Sequence, residues 1–233
     1  MENRVVAIVP AAGLGERFGR GTNKPFSGLA DKPLIIWAVE TLQSIPEIVE
    51  IIPVVKERDI KLCSLLIEDY SISKVKRIAP GGKERQDSVF HGLSLMHDDD
   101  KDSVVLVHDG VRPLIEASVI QEGLRQLPGF DGVVVGVPLK DTVKEVRDGM
   151  VRSTLKRDLF WAVQTPQIFY YKALHEAYEK AMADSFYSTD DSALVERNGG
   201  RIKMVQGSYT NIKVTTPEDL LVAEVFLKMK AGE

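Results

Sequence analysis

The stretch from Pro10 to Pro25 combines residue types that suit the binding of a polyphosphate. It reads P-A-A-G-L-G-E-R-F-G-R-G-T-N-K-P and directly follows the apolar run Val5 to Val9. Small side chains there would let backbone N–H groups point at phosphate oxygens. They belong to Ala11, Ala12, Gly13 and Gly15. Arg17 and Lys24 add permanent cations, one a planar fork and the other a compact point charge. These residues predict a polyphosphate-binding loop.

Two familiar phosphate loops compete for the same residues. The Walker A pattern fails, because no glycine precedes a Lys-Ser or Lys-Thr pair. The dinucleotide fingerprint is met in part by the spacing G-x-G-x-x-x-G, but residues 16–24 are too glycine-rich and charged for a helix packed on a sheet. The next predicted strand also ends in Lys56, where that fingerprint requires an acid. A glycine-rich surface loop without a ligand is the third alternative, and the two cations disfavour it.

A second glycine-rich cluster, G-G-K-E-R-Q-D-S-V at residues 81–89, follows another predicted strand. Gly81 and Gly82 allow close backbone approach, and Ser88 with the first N–H groups of a helix could reach a base or a phosphate. The alternative is an ordinary helix N-cap preceded by two turn glycines.

Two charged clusters follow later strands. In H-D-G-V-R-P, residues 108–113, Asp109 leaves the tip of a buried strand with Arg112 close behind, which favours a metal, sugar or phosphate contact over a simple turn ion pair. In N-I-K-V-T-T-P, residues 211–217, Lys213 lies in an apolar setting, where a cation costs free energy unless it meets an anion. Ligands of parallel sheets bind at the carboxyl ends of strands, so these clusters indicate one site.

The elements that must position these residues alternate between strand and helix. Short, β-branched, apolar runs predict parallel strands covered on both faces, at Arg4–Val9, Val49–Val55, Val75–Ala79, Ser103–His108, Gly132–Val137 and Ile202–Val205. Helical patterns lie at Pro33–Ser44, Glu57–Asp69, Glu84–His97, Ala117–Gln126, Tyr171–Asp184, Thr189–Asn198 and Pro217–Lys230. The fold class is therefore α/β, a mostly parallel doubly wound sheet.

One segment interrupts the alternation. Between Leu139 and Leu155, two alternating runs flank Asp148-Gly149, which is a strong signal for a two-residue hairpin. Because this hairpin has no place inside the sheet, we expect it to project as an arm. The chain has no repeat or linker, so we expect a single domain over residues 1–233.

Composition excludes several classes of protein. The chain has 233 residues, 44% of them hydrophobic, and a net charge of −4, whereas a nucleic-acid-binding protein should be basic. Its one cysteine, Cys63, excludes an internal disulfide and fits a reducing compartment. The sequence has neither an apolar stretch of 18 residues nor a signal-peptide pattern. We expect a cytoplasmic protein with neither a nucleic-acid nor a membrane partner.

Six motifs occur in the order found in one family. They are P-A-A-G-L-G-E-R-F-G, G-G-K-E-R-Q-D-S-V, H-D-G-V-R-P, K-R-D-L-F-W-A-V-Q-T-P-Q-I-F, T-D-D-S-A-L-V-E and N-I-K-V-T-T-P-E-D-L. Through them, and over essentially its whole length, the chain resembles the 2-C-methyl-D-erythritol 4-phosphate cytidylyltransferases of the non-mevalonate isoprenoid pathway. The resemblance implies a Rossmann-like nucleotidyltransferase fold, a Mg²⁺-dependent transfer of CMP from CTP to the acceptor phosphate, and a homodimer joined by a β-arm at about residues 139–157. At one position the chain departs from the family, with Lys24-Pro25 where Lys-Gln is usual.

The resemblance also implies roles for individual residues. The catalytic residues expected from it are Arg17, Lys24, Arg157 and Lys213. The nucleotide-binding residues are Ala11, Ala12, Gly13, Gly15, Gly82 and Ser88. The acceptor-binding residues are Asp109, Arg112, Thr142, Arg157, Thr165, Thr189 and Lys213, and Asp109 is also the candidate metal ligand. Ribitol-5-phosphate cytidylyltransferases share most of the motifs and are the alternative, and a noncatalytic nucleotide-binding homologue is a further one.

Overall fold

A computed structural model describes residues 4–13, 24–96 and 102–231 of the chain. Within them, one sheet is formed by seven strands, β1 Val5–Pro10, β4 Ile48–Val55, β5 Ala79–Pro80, β6 Val104–Val107, β7 Gly132–Pro138, β10 Trp161–Tyr170 and β11 Ile202–Gln206. Their order in the sheet is β11-β7-β10-β6-β1-β4-β5. All the pairings in this sheet are parallel except those of β10, which runs antiparallel to both of its neighbours. Two small sheets pair β2 Gly28–Leu29 with β3 Lys32–Pro33, and β8 Lys144–Arg147 with β9 Met150–Thr154.

Helices cover both faces of the sheet, because its central strands are apolar on both faces. In β1, Val5, Ala7 and Val9 pack into one core cluster, while the alternating Val6 and Ile8 pack into another on the opposite face. The helices are α1 Leu34–Gln43, α2 Ile60–Asp69, α3 Arg85–Ser94, α4 Ala117–Gln126, α5 Tyr171–Ala183, α6 Ser192–Arg197 and α7 Pro217–Ala231. Side chains of α1, α2 and α4 enter the first cluster, and those of α3, α5 and α6 enter the second. This is the doubly wound arrangement that the alternating pattern predicts.

The predicted hairpin is present as an exposed arm. Strands β8 and β9 pair only with each other in the described structure, and the turn between them has positive φ at Asp148 (51°) and Gly149 (75°). Positive φ at both central residues is what a type I′ hairpin turn requires. Apolar side chains of the arm face away from the core, with Met150 67% and Val151 59% exposed.

In the main sheet, the sequence-based assignments differ from the structure mainly in two strands, and outside it the short strands β2 and β3 were not predicted. The segment predicted as Val75–Ala79 contributes an isolated bridge at Val75 and the two-residue strand β5. Strand β10 was not predicted, because its Q-T-P-Q segment contains a proline and polar residues that are unusual inside a sheet. The pairing of β10 with β7 is in fact irregular between Val163 and Gln167, around Pro166. No helix in the described ranges is long and apolar enough to cross a membrane.

Candidate active site

The glycine-rich and charged clusters converge at the carboxyl ends of β1, β5 and β6. There a cavity of about 510 Å³ opens, and Lys24 and Lys213 lie in its wall. Its lining includes all the predicted nucleotide-binding residues that the structure describes, namely Ala11, Ala12, Gly13, Gly82 and Ser88. The backbone N–H of Gly82 donates to the hydroxyl of Ser88 at 3.1 Å, so the glycine turn is fixed on the first turn of α3.

A second cavity, of about 300 Å³, adjoins the first beside β10. Five of the predicted acceptor-binding residues line it, namely Asp109, Arg112, Thr165, Thr189 and Lys213. Arg85, Asp109 and Lys213 line both cavities, and we call these three residues the shared wall. A molecule in either cavity would therefore contact the same three charged side chains.

Asp109 is a buried carboxylate surrounded by cations. Its Oδ1 accepts from Nε of Arg85 at 3.1 Å, and its Oδ2 lies 3.0 Å from Nζ of Lys213 and 3.4 Å from Nε of Arg112. Burial alone would raise the pKa of Asp109, but the charges of Arg85, Lys213 and Arg112 outweigh it and hold that pKa far below its usual range. Asp109 is therefore ionised at neutral pH, and it can accept hydrogen bonds but not donate them.

His108 and Thr165 hold the backbone from which Asp109 projects. Nε2 of His108 lies 3.1 Å from the carbonyl oxygen of Arg112, which can only accept, so Nε2 carries the proton. The hydroxyl of Thr165 then donates to Nδ1 of His108 at 3.1 Å and accepts from the backbone N–H of Asp109 at 3.0 Å. Burial lowers the pKa of His108 to about 4. The imidazole is therefore neutral near pH 7, and the single proton of Thr165 is already engaged.

Arg85 is a member of the site that the sequence argument missed. Its terminal nitrogens donate to both carboxylate oxygens of Asp191 at 3.0 and 2.8 Å, while its Nε holds Asp109. Burial alone would lower the pKa of Arg85, but the charges of Asp191 and Asp109 outweigh this and raise it, so the guanidinium is permanently charged. One signal was available in the sequence. Arg85 is the first residue of α3, where the helix dipole disfavours a cation, so a nearby carboxylate was to be expected.

The loop that carries Lys213 is fixed at both ends. The carboxylate of Asp219, in the first turn of α7, accepts from the backbone N–H groups of Thr215 and Thr216 at 2.8 and 2.9 Å. Upstream, Arg112 donates to the carbonyl oxygen of Asn211 at 2.8 Å. Lys213 is therefore held close to Asp109 by contacts on both sides of it.

Some predicted residues lie elsewhere. Arg17 and Gly15 fall outside the residues that the structure describes. Thr142 and Arg157 are exposed on and beside the arm, and neither lines the first or the second cavity. Nη1 of Arg157 donates to the carbonyl oxygen of Lys140 at 2.5 Å, so this side chain folds back on the base of the arm.

A doubly wound sheet with two adjoining cavities that share Arg85, Asp109 and Lys213 suits an enzyme that brings two charged substrates together, and the relatives of this chain place it among the nucleotidyltransferases. The family model described as 2-C-methyl-D-erythritol 4-phosphate cytidylyltransferase (IspD) matches residues 5–229. The chain belongs to this family, and it is a cytidylyltransferase that acts on CTP and 2-C-methyl-D-erythritol 4-phosphate. The alternative activity on ribitol phosphate is not favoured.

Individual relatives agree over nearly the whole chain. A protein of that name from Geotalea uraniireducens is 43% identical over 231 residues, which cover 99% of each chain. One from Clostridioides difficile is 43% identical over 96% of this chain and 93% of its own. Among solved structures, 4-diphosphocytidyl-2C-methyl-D-erythritol synthase from Anaerococcus prevotii superposes with a TM-score of 0.86 at 33% identity, covering 97% of both chains.

Proposed function

We propose that the first cavity binds CTP, that the second binds 2-C-methyl-D-erythritol 4-phosphate, and that CMP is transferred across the shared wall. The observation that carries this proposal is that two adjoining cavities share Arg85, Asp109 and Lys213. Transfer between two bound anions requires that they be brought together and that their charge be neutralised. An assignment of one substrate to each cavity meets both requirements.

In the first cavity, small residues and a helix start make up the base site. Backbone groups from Ala11 to Gly13 and the carbonyl oxygen of Gly82 would satisfy the amino and carbonyl groups of cytosine. The hydroxyl of Ser88 already accepts from Gly82 and donates to the carbonyl oxygen of Glu84, so it would contribute only as an acceptor. Lys24 and the loop residue Arg17 would then bind the triphosphate and stabilise the charge that develops at the α-phosphorus. A nucleotide with a different base would leave hydrogen-bonding groups in this site without partners.

In the second cavity, Asp109 is suited to hydroxyl groups and Lys213 to a phosphate. The ionised carboxylate of Asp109 would accept hydrogen bonds from the hydroxyls of the acceptor, while Arg112, Thr189 and Lys213 would contact its other oxygens. The hydroxyl proton of Thr165 is donated to His108, so Thr165 could not donate to the acceptor. It would accept a hydrogen bond from the acceptor, or hold the backbone N–H of Asp109 in place.

The chemistry needs no general base. A phosphate oxygen of the acceptor attacks the α-phosphorus of CTP, the bond from that phosphorus to the β-phosphate oxygen breaks, and pyrophosphate leaves in line. The attacking oxygen is already anionic near neutral pH, because the second pKa of a phosphate monoester is about 6. His108 is consistent with this, since both of its ring nitrogens are engaged and it lines neither cavity of the described structure.

The residues at Asp109 do not fit a magnesium ion held by the protein. Both oxygens of that carboxylate already contact cations of the chain. Within the described ranges, no group of three or more acidic, histidine or cysteine side chains could hold a metal. We therefore propose that Mg²⁺ enters as part of the substrate, bound by the phosphate oxygens of CTP.

We further propose that the enzyme is a homodimer in which the arm of one subunit completes the acceptor site of the other. Thr142 and Arg157 lie outside both described cavities of their own chain, and the arm exposes apolar side chains. An isolated two-stranded hairpin is marginally stable in water, so a second arm is a suitable partner for it. The cytoplasmic location expected from the single, buried Cys63 remains a prediction.

Pyrophosphate release tests the cavity assignment. With CTP, we expect turnover with 2-C-methyl-D-erythritol 4-phosphate and much less with ribitol 5-phosphate. With the preferred acceptor, CTP should be favoured over UTP and ATP by a factor on the order of 10² or more, because a mispaired base leaves polar groups unsatisfied. Equal use of CTP and UTP would show that the base site lies elsewhere.

A further inference from the structure

Behind the shared wall, two buried side chains fix the guanidinium of Arg85. Asp191, only 1% exposed, accepts from both terminal nitrogens of Arg85, and the phenol of Tyr178 donates to the same carboxylate at 2.5 Å. Burial and the charge of Asp191 raise the pKa of Tyr178 well above its usual value, so the phenol remains a donor. Neither Asp191 nor Tyr178 lines the first or the second cavity.

Arg85 transmits this restraint to Asp109. The two oxygens of Asp109 are held separately, Oδ1 by Nε of Arg85 and Oδ2 by Lys213 and Arg112. If Arg85 turned away, Oδ1 would lose its cation and the carboxylate could rotate. The guanidinium of Arg85 donates twice to Asp191 and, through Nε, once to Asp109. Because the guanidinium is planar and rigid, one orientation satisfies all three contacts.

We propose that Asp191 and Tyr178 are positioning residues for the transfer reaction, which act through Arg85 on the orientation of Asp109 toward the acceptor. This inference rests on the proposed assignment of the second cavity to the acceptor. Because CTP contacts would come mainly from the two glycine-rich segments, loss of the restraint should affect use of the acceptor more than binding of CTP.

The chain offers a matched control. Glu50 is also a buried carboxylate whose two oxygens accept from one arginine, Arg77, at 2.8 and 2.9 Å, with Nη2 of Arg4 farther away at 3.7 Å, and it lines neither cavity. Glu50→Gln and Asp191→Asn therefore remove the same charge from the same kind of pair. A merely structural role for Asp191 would give the two variants the same kinetic behaviour.

The experiment compares Asp191→Asn, Tyr178→Phe and Glu50→Gln. The quantities measured are kcat/KM for the acceptor, the Kd of CTP without acceptor by calorimetry, and Tm.

We expect kcat/KM for the acceptor to fall about 10–100-fold in Asp191→Asn and about tenfold in Tyr178→Phe, as for lost hydrogen bonds to charged groups. The Kd of CTP should change less than about threefold, and Glu50→Gln should lower Tm with kcat/KM within about twofold of wild type. The double variant Asp191→Asn/Tyr178→Phe should be no worse than Asp191→Asn, because both residues act through one guanidinium.

Equal acceptor kcat/KM in Tyr178→Phe and Glu50→Gln would overturn the inference, and so would a loss of CTP affinity as large as the loss in acceptor use. Tyr178→Phe keeps the aromatic ring, so it carries the test if Asp191→Asn does not fold. Failure of the cavity assignment itself would be seen separately, in the wild-type enzyme, as equal use of CTP and UTP.

Discussion

At the carboxyl end of β6, the imidazole of His108 is held between the hydroxyl of Thr165 and the carbonyl oxygen of Arg112. Its side chain is fully buried and its pKa is lowered to about 4 from 6.5, mainly by burial. In the unfolded chain the same group binds a proton near pH 6.5. Between pH 4 and pH 6.5 the unfolded state therefore binds more protons than the folded state, so lowering the pH favours unfolding.

We predict that His108 makes the protein acid-sensitive. Its contribution to stability is complete above pH 6.5 and is lost as the pH falls toward 4, a loss of roughly 3 kcal/mol for a shift of this size. His108→Gln can offer both a donor and an acceptor but does not titrate. Urea unfolding from pH 7 to pH 4 should show a shallower fall in the variant than in wild type. Parallel curves would contradict the prediction.

The carboxylate of Asp109 affects stability in a separate pH range. Because its pKa is lowered in the folded protein, its contribution to the free energy of unfolding is lost only as the pH falls below about 3.8.

The sequence indicates some residues of the site and not others for a physical reason. Asp109 and Lys213 could be found because each lies in the segment that follows a strand, and the carboxyl ends of parallel strands share one edge. The partnership of Arg85 with Asp191 joins positions 106 residues apart. It depends on how α3 and α6 pack on one face of the sheet, which local sequence patterns do not encode.

Among the elements, the turn between β5 and α3 leaves no room for a side chain at its two glycines, Gly81 and Gly82. A Cβ at Gly81 would lie 2.1 Å from Cβ of Ala12, which belongs to the segment after β1. The two backbone segments that line the first cavity are therefore in close contact at this point, and they can approach so closely only because Gly81 has no Cβ. Since Ala12 is itself short and stiff, the backbone would have to move to admit one.

We predict that Gly81→Ala damages the nucleotide site. The clash should cost about 1–3 kcal/mol in unfolding free energy and lower kcat/KM for CTP about tenfold or more. Gly28→Ala is the control, because a Cβ there meets no atom within 4 Å. Urea unfolding and steady-state kinetics with CTP measure both effects, and equal results for the two variants would mean that the two segments are not in contact.

The accuracy of the element assignments follows the strength of each local pattern. The apolar runs that became β1, β4, β6 and β7 are recognisable because strands buried on both faces need continuous apolar residues. Strand β10 is not recognisable in this way. It brings Gln164, Thr165 and Gln167 into the site. These polar residues interrupt the continuous apolar run by which a buried strand is identified in a sequence.

At the scale of the whole molecule, the proposed dimer predicts that two inactive chains can restore one active site. Arg157→Ala and Lys24→Ala should each be nearly inactive. If one complete active site combines Lys24 of one subunit with Arg157 of the other, random chain exchange should return activity to about a quarter of wild type per total site. Half of the dimers would be mixed, and each mixed dimer would hold one complete site. Pyrophosphate release after exchange measures the return.

A second mixture controls for this result. Lys24→Ala and Lys213→Ala both alter the first cavity of the same chain, so their mixed dimers would contain no complete site. That mixture should stay inactive. Confirmed exchange without a return of activity in the first mixture would contradict the shared site, as would a monomer in light scattering.

The placement of β10 has a consequence for synthesis of the chain. Strand β10 lies between β6 and β7, so β7 and β11 join the rest of the sheet only through it among the described strands. A growing polypeptide can pair β5, β4, β1 and β6 once residue 107 has emerged from the ribosome. Strand β7, which is apolar and complete by Pro138, has no neighbour until residue 170 has followed. Over that interval the nascent protein presents unpaired apolar strand edges, which are sites of aggregation, and it is then that a chaperone would be of most use.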